Sequence, residues 1–167
     1  MVITNYKILT INPGSTSTKV ALFENDKKIL EKNLFHPAEE LKKYNKISDQ
    51  LELRKKIVHE YLEEQNILKC GLDAIVGRGG LLRPIKGGTY LINEQMLEDL
   101  KTNRFGEHAA DLGGMIAYDF SRECNIPSYI VNPIVVDEME DIARISGMPE
   151  VERISIFHAL NQKAVAI

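Results

Sequence analysis

The chain has 167 residues, 44% of them apolar, and this length and composition predict one compact domain with a sizeable core. Its formal net charge is −3 and it contains no long cluster of lysine and arginine. Both features argue against nucleic acid or an anionic membrane as the main partner, so a small molecule or another protein is expected.

Two strand-like runs, residues 7–12 and 18–24, flank a polar turn near the start of the chain. Residues 12–19 read Asn-Pro-Gly-Ser-Thr-Ser-Thr-Lys. Small residues let backbone N–H groups approach a polyanion closely, and the hydroxyl, amide and ammonium groups add hydrogen-bond donors. The pattern lacks the glycines of a Rossmann loop and the Gly-Lys-Ser/Thr end of a Walker loop. We therefore predict a phosphate-binding turn between two strands, with an ordinary solvated turn as the alternative.

A third strand is predicted at residues 28–35, which makes the first three strands an antiparallel meander. Pro37 ends this strand. Ser48 or Asp49 is expected to cap a helix that runs to about residue 65. The apolar positions on one face of this helix are Leu51, Val58, Tyr61 and Leu62.

The rest of the chain alternates short apolar strands with helices, as in βαβ units. Strands are predicted at 72–77, 89–92 and 127–131, and helices after an Asn93 cap, at 106–123, at 137–145 and from Ser155 onward. The second of these helices carries small residues that let another backbone pack closely, namely Ala109, Ala110, Gly113, Gly114 and Ala117. They predict tight packing inside the domain or a dimer surface.

The last helical pattern is still running where the sequence ends. It consists of Phe157, Leu160, Ala164 and Ile167, and no Gly, Asn or Pro follows as a stop signal. We therefore expect a truncated helix, or one that ends against a structure outside this sequence.

Cysteine usage and the lack of export signals predict a cytoplasmic protein. Cys70 and Cys124 match no metal-ligand or CxxC spacing, so both are expected to be reduced, partly buried thiols. The N-terminus has no basic region followed by an apolar run and a cleavage site, and no apolar stretch reaches membrane-spanning length.

Arg78 is a candidate anion-binding residue because it follows a predicted buried strand and lies among Gly77, Gly79 and Gly80. At such a strand end an arginine can offer its planar fork to a carboxylate or a phosphate. A structural turn with a surface arginine is the alternative. Arg83 and Lys86 are weaker candidates.

The other candidate side chains are Asp137 and the histidines. Asp137 is expected either to begin a helix as a dipole-favoured acid or to orient a metal ion or an arginine. His108 and His158 fit no metal-ligand spacing, and a histidine beside Phe157 is most simply a packed core residue. His36 and His59 are expected at the surface.

The turn at residues 12–19 resembles the first phosphate loop of the acetate and butyrate kinase family, within the actin-like superfamily that includes sugar kinases. Four further segments resemble butyrate kinase segments in family order: residues 76–84, 106–113, 131–139 and 155–163. Acetate kinases resemble the chain less, because they have a longer segment around the Arg-Gly-Gly region and Phe-Asp-Thr where this chain has Val-Asp-Glu.

The resemblance implies an α/β fold of the actin-like ATPase (ribonuclease H-like) type, with a mixed sheet that starts with the antiparallel three-strand meander and is flanked by helices. It implies that residues 1–167 are the N-terminal lobe of a two-lobe kinase. The second lobe, with the adenosine pocket, has no counterpart in the sequence. The chain alone is therefore expected to have little turnover.

The resemblance also assigns roles to the candidate residues. Arg78 should hold the carboxylate or acyl phosphate, Asp137 should organise Mg²⁺ and the arginines with Asn12 also near the metal, and His158 should donate to phosphoryl oxygens. The residues placed at the transferred phosphoryl group are Asn12, Gly14, Ser15, Thr16, Ser17 and Lys19. An apolar substrate pocket is expected around Gly79, Pro133, Ile134, Val135 and Val136.

The implied reaction is reversible phosphoryl transfer between ATP and a short carboxylate such as butanoate, giving acyl phosphate and ADP. A carboxylate needs no general base, so alignment and stabilisation of charge on the phosphoryl oxygens account for the catalysis. Two alternatives stay open: a non-catalytic actin-like module that binds phosphate or a partner, and a kinase of the same superfamily for acetate or a sugar. A homo-oligomer of the whole protein also stays open.

Overall fold

A mixed six-stranded sheet organises the chain in the computed structural model, which describes residues 5–67, 71–156 and 158–166. In chain order the strands are β1 (Lys7–Pro13), β2 (Ser17–Glu24), β3 (Lys27–Phe35), β4 (Ala74–Arg78), β5 (Thr89–Leu91) and β6 (Ser128–Val131). In space their order is β3-β2-β1-β4-β6-β5.

The predicted change from a meander to βαβ topology is confirmed. Strands β1, β2 and β3 pair antiparallel, β1 pairs parallel with β4, and β4 pairs parallel with β6. The short strand β5 lies antiparallel at the β6 edge. This order places the β1–β2 turn next to the carboxyl end of β4, where Ile11 is opposite Gly77.

Helices surround the sheet, and the central one packs closely against it. They are α1 (Ala38–Leu41), α2 (Leu51–Glu64), α3 (Glu94–Lys101), α4 (Asp111–Cys124) and α5 (Ala159–Val165). A Cβ on Gly77 of β4 would lie only 2.2 Å from the carbonyl oxygen of Gly113 in α4. The small residues of α4 therefore serve packing inside the domain, one of the two predicted roles.

The core lies where α2, α3 and α4 meet the strands. It buries the apolar side chains of both kinds of element, among them Leu9, Ile11, Val20, Ile75, Ile130, Val58, Leu62, Leu112, Ile116 and Phe120. Cys124 is a free, partly buried thiol as predicted, whereas Cys70 lies outside the described residues. Within those residues no helix is both long and apolar enough to span a bilayer.

Of the predicted helix starts, the Asn93 cap of α3 is confirmed, since its Oδ1 accepts from the Met96 N–H at 2.9 Å. The predicted starts of α2 and α4 are wrong, because side chains bond the backbone there. Helix α2, however, follows a 3-10 turn (Ser48–Gln50) and has no side-chain cap. Instead Glu107, 59 residues away, accepts the N–H groups of residues 47 and 48.

Helix α4 begins at Asp111 rather than at residue 106. The Asp111 carboxylate accepts the backbone N–H groups of His108 and Leu81, at 2.7 and 2.6 Å. Such side-chain bonds to nearby backbone compete with helix formation, so the preceding residues form a turn.

The helix predicted at residues 137–145 is wrong, and the last helix begins later than expected. The Asp137 side chain accepts from the Met139 N–H and from Arg144, contacts that compete with a helix, and residues 137–140 form neither helix nor strand before a 3-10 turn at Asp141–Arg144. His158 takes a left-handed conformation, φ 55°, and α5 follows it. Phe157 and Ile167 of the predicted final pattern lie outside the described residues.

Candidate functional site

An open cleft of about 600 Å³ lies between the β1–β2 turn and the carboxyl end of β4. The structure brings most of the predicted site residues to this cleft, namely Asn12, Gly14, Ser15, Ser17, Lys19, Arg78 and His158. Thr16, at the tip of the turn, and Asp137 do not line it.

The phosphate loop, residues 14–17, has its carbonyl groups bound from inside the molecule. The Gly14 N–H donates to the Ser17 carbonyl at 2.7 Å, and the Thr16 carbonyl accepts from the His36 N–H at 2.9 Å. Within the described part of the chain, the N–H groups of Ser15 and Thr16 find no acceptor. These two N–H groups therefore stay available to an external acceptor, and adjacent free N–H groups of this kind can bind anions.

Arg54 of α2 supplies the remaining inward contacts. Its guanidinium donates to the carbonyls of Gly14 at 2.7 Å, Ser15 at 2.8 Å and Ser17 at 3.4 Å. The side chain of Gln50 accepts two further N–H groups of Arg54. Arg54 is only 1% exposed, and burial lowers the pKa of its guanidinium, which still keeps an arginine charged at neutral pH.

Sequence reasoning missed Arg54, although a signal was present. Arg54, Val58 and Leu62 are spaced four residues apart and share the buried face of α2. An arginine in the first core position of such a stripe indicates a buried polar contact, because arginine is almost never fully buried without hydrogen-bond partners.

His36 lies beneath the loop, and its predicted surface position is wrong. The side chain is 3% exposed, and its Nε2 lies 2.8 Å from the buried hydroxyl of Thr18. Burial, with a smaller contribution from the charge of Arg54, lowers the pKa of His36 to about 4. His36 is therefore neutral at pH 7.

Arg78 and Asn12 meet because the parallel pairing of β1 with β4 brings their strand ends together. The Arg78 NH1 donates to Asn12 Oδ1 at 3.4 Å. The glycines around Arg78 relieve close packing, since a Cβ on Gly79 would lie 2.5 Å from Cβ of Pro133 and one on Gly80 would lie 1.8 Å from the Asp111 carboxylate.

Two histidines face the same cleft as Arg78. Burial and the nearby Arg78 charge lower the pKa of both His108 and His158, so both imidazoles are neutral at pH 7. His108 Nδ1 accepts the Ala110 N–H at 3.1 Å, which leaves the proton on Nε2 as a hydrogen-bond donor. Sequence reasoning gave His108 no site role, because no metal-ligand spacing singles it out.

A smaller cavity of about 150 Å³ adjoins the cleft, and Arg78 and His158 line both. Pro133 and Val136 also line the smaller cavity, together with residues from the start of α5. Of the other residues expected there, Gly79 packs against Pro133, while Ile134 and Val135 are buried at 5% and 2% exposure and do not line it.

Asp137 lies outside both cavities and forms a bidentate ion pair with Arg144, at 3.0 and 3.1 Å. Arg144, with the Met139 N–H, holds the pKa of the Asp137 carboxyl below its usual value. Lys19 is half exposed and lies 3.8 Å from a carboxylate oxygen of Glu31.

The donor set fits a Mg²⁺ carried mainly by nucleotide phosphates rather than by protein ligands. Among the described residues, no three His, Cys, Asp or Glu side chains are grouped to hold a metal. Asn12 lines the cleft, and its amide oxygen accepts one long hydrogen bond from Arg78, whereas Asp137 has both oxygens bound to Arg144. Mg²⁺ commonly uses one or two protein oxygens with phosphates and water, so Asn12 suits this role and Asp137 reaches it only after leaving Arg144.

Comparison with known proteins found butyrate kinases as relatives, although no family model matches the chain. The chain is 56% identical over 161 residues to butyrate kinase 1 of Clostridium acetobutylicum and 58% identical over 161 residues to butyrate kinase 2 of the same organism. These matches cover 96% of this chain but only 45% of each relative, so the chain spans about half the length of the curated relatives it matches. The resemblance to butyrate kinases is confirmed.

Solved structures of acetate kinases share the fold. The enzyme from Entamoeba histolytica matches with a TM-score of 0.56 at 13% identity, over 96% of this chain and 46% of that one. The enzyme from Porphyromonas gingivalis matches with a TM-score of 0.54 at 13% identity, over 97% of this chain and 49% of that one. The expected α/β fold of the actin-like type is therefore confirmed.

Proposed function

We propose that this chain provides the phosphate-binding and carboxylate-binding part of a butyrate kinase, an enzyme that transfers a phosphoryl group between ATP and a short aliphatic carboxylate. One observation carries the proposal: Ser15 of the phosphate loop, whose N–H has no acceptor among the described residues, lines a single cleft together with Arg78 and two neutral histidines. The similarity to butyrate kinases supports the same assignment.

In the proposed reaction, a carboxylate oxygen attacks the γ-phosphorus of ATP while the bond from that phosphorus to the β–γ bridging oxygen breaks. The products are the acyl phosphate and ADP. The carboxylate is already ionised at neutral pH, so no side chain has to remove a proton. Catalysis then depends on in-line placement and on stabilising charge at the phosphoryl oxygens.

The residues of the cleft divide this work. The phosphate loop and Lys19 bind the phosphoryl oxygens, and the fork of Arg78 binds the carboxylate. His108 donates its Nε2 proton as a neutral hydrogen-bond donor, and His158 stands between the cleft and the smaller cavity. A bound Mg²⁺ would neutralise phosphate charge, with Asn12 as the fitting protein oxygen.

We propose that the smaller cavity takes the short chain of the substrate because it adjoins Arg78. Pro133, Val136 and Leu160 line part of it, and the polar side chains of Asn132 and Asn161 line the rest with Arg78 and His158. One methylene in such a pocket changes binding by only about 1–3 kcal/mol, so related acids such as isobutyrate and acetate belong in the substrate panel.

The proposal is tested in a chimera of Clostridium acetobutylicum butyrate kinase 1 in which this chain replaces the 161 matched residues. We expect ATP-dependent formation of hydroxylamine-trappable acyl phosphate from butanoate, and little turnover by this chain alone. No acyl phosphate from butanoate, isobutyrate or acetate would overturn the assignment, and phosphorylation of a hexose would point to another kinase of this fold.

A matched pair of arginines tests the role of the cleft in that chimera. Arg78→Gln should lower kcat/KM by about 100-fold, the scale of losing one charge-stabilising group at the reacting centre. Arg83→Gln is the control, because Arg83 binds the buried Asp99 and lines neither the cleft nor the smaller cavity. Equal loss of activity in the two variants, per folded molecule, would show that Arg78 has no special role.

A further inference from the structure

Arg54 is a buried cation without a buried anion beside it. Within the described residues no carboxylate comes within ion-pair distance of its guanidinium, and burial alone lowers its pKa. A buried charge is costly unless it is paired and hydrogen-bonded. The buried carboxylate of Asp99, by contrast, is paired with the half-exposed Arg83.

The hydrogen bonds of Arg54 explain what its charge faces. Gln50 takes two N–H groups on one side and so fixes the plane of the guanidinium. The opposite edge is left for the carbonyls of Gly14, Ser15 and Ser17. The cation therefore lies against the carbonyl groups of the phosphate loop, beside the same cleft.

We propose that Arg54 is a positioning residue for phosphate binding: it turns the loop carbonyls inward and leaves an uncompensated positive charge behind the loop that a bound phosphoryl group balances. This inference rests on the proposed function, in which the loop holds phosphoryl oxygens. Arg54 lines the floor of the cleft and acts through the loop backbone.

Two variants of Arg54 distinguish the effect of its hydrogen-bonding geometry from the effect of its charge. Arg54→Lys keeps the charge but loses the planar fork that spans three carbonyls. Arg54→Met loses both at a similar side-chain length. If Arg54 only stabilised the fold, both variants would lower stability without changing affinity for phosphate in the folded molecules.

The experiment uses the full 167-residue chain, labelled with ¹⁵N and titrated with pyrophosphate as the probe. For the native sequence we expect saturable shifts of the amides of Ser15, Thr16 and Ser17. Arg54→Met should move these amide signals before any ligand is added and should weaken pyrophosphate binding about 10-fold or more, the scale expected when hydrogen bonds to a charged group are lost. The pyrophosphate affinity of Arg54→Lys should lie between those of the native chain and Arg54→Met.

Two further variants keep the test decisive. Gln50→Met retains Arg54 but removes the acceptor that orients it, so it should shift the same amide signals and weaken pyrophosphate binding less than Arg54→Met does. If Arg54→Met does not fold, Gln50→Met still tests the role of Arg54. Arg83→Met is the stability control, because it disrupts the Asp99 ion pair and should leave the loop amides and the pyrophosphate affinity unchanged.

The outcomes distinguish the two proposals. Unchanged loop amides and pyrophosphate affinity within about twofold in both Arg54→Lys and Gln50→Met would overturn the role of Arg54. Failure of the native chain to bind pyrophosphate would overturn the phosphate role of the loop and this inference with it. Pyrophosphate binding that depends on Arg54, together with an inactive chimera, would support Arg54 and overturn only the kinase assignment.

Discussion

The phosphate loop lines the candidate site and the segment at residues 137–156 holds Asp137, a residue predicted for that site, and the protein holds the two regions by different means. The loop is fixed by hydrogen bonds from the Arg54 side chain and the His36 backbone N–H to its carbonyls and by the paired strands on either side. The other segment has a short 3-10 turn and an isolated bridge between Ile145 and Glu152. Its side-chain contacts include the partly exposed Asp137–Arg144 ion pair and, near its end, a buried hydrogen bond from Ser155 to the Val136 carbonyl.

The surfaces of the two regions differ as well. The segment exposes six large apolar side chains, Ile142, Ile145, Met148, Val151, Ile154 and Ile156, each more than half exposed. The loop exposes small polar residues instead. Contacts with buried side chains therefore determine the geometry of the phosphate loop, whereas the Asp137 side chain is held by an ion pair to the partly exposed Arg144.

The largest effect should come from glycine replacements that contrast the two regions. Gly77→Ala should lower the free energy of unfolding by about 3 kcal/mol or more, because its Cβ would overlap the backbone of α4. Gly147→Ala meets no atom within 4 Å and suffers only from its positive φ of 92°, so about 1 kcal/mol is expected. Urea unfolding measures both, and equal losses would remove the contrast.

The next largest effect is a pH dependence of the free energy of unfolding, caused by His36 next to the phosphate loop. The pKa of His36 is about 4 in the folded chain against 6.5 when unfolded, so the unfolded state binds the extra proton and stability falls as the pH drops below 6.5. From pH 6.5 to pH 5 this loss amounts to about 1.5 kcal/mol.

The titration of Asp111 changes the stability in the opposite direction between pH 6.5 and pH 5. Burial raises the pKa of its carboxyl to about 6 from 3.8, so the folded state takes up a proton first and gains roughly 1 kcal/mol between pH 6.5 and pH 5. His36→Gln removes only the histidine contribution. Unfolding curves of this variant should lose about 1.5 kcal/mol less than the native chain over that interval, and parallel pH profiles would contradict a buried, neutral His36.

Sequence patterns predicted the elements built from local signals. The meander, the parallel strands, the Asn93 cap and the close packing of α4 follow from alternation, turn chemistry and small residues, and the structure confirms them. The phosphate turn was predicted as strand, turn and strand, and the structure has this arrangement.

The parts that were missed depend on contacts between residues far apart in the chain. Glu107 takes the capping role expected of Ser48 or Asp49, and the Asp137 side chain bonds backbone where a helix was expected. Arg54 and His36 contact the loop from 40 and 20 residues away, and no local pattern encodes which residues they contact. A single sequence gives their residue types but not their partners.

The smallest effect should come from Arg144→Met, and it tests whether the Asp137 segment is held as weakly as proposed. The ion pair is bidentate, but Arg144 keeps 29% of its side chain exposed, so solvent screens the attraction and its contribution stays below about 1 kcal/mol. The pKa of Asp137 should rise towards its usual value, because Arg144 is the main cause of its lowering.

Arg153→Met, in the same segment and exposed, serves as the control. Carbon-detected titration of Asp137 and urea unfolding measure the two effects. A loss above about 2 kcal/mol would mean that a partly exposed pair holds this segment as firmly as the buried contacts hold the loop, and the proposed difference between the two regions would be wrong.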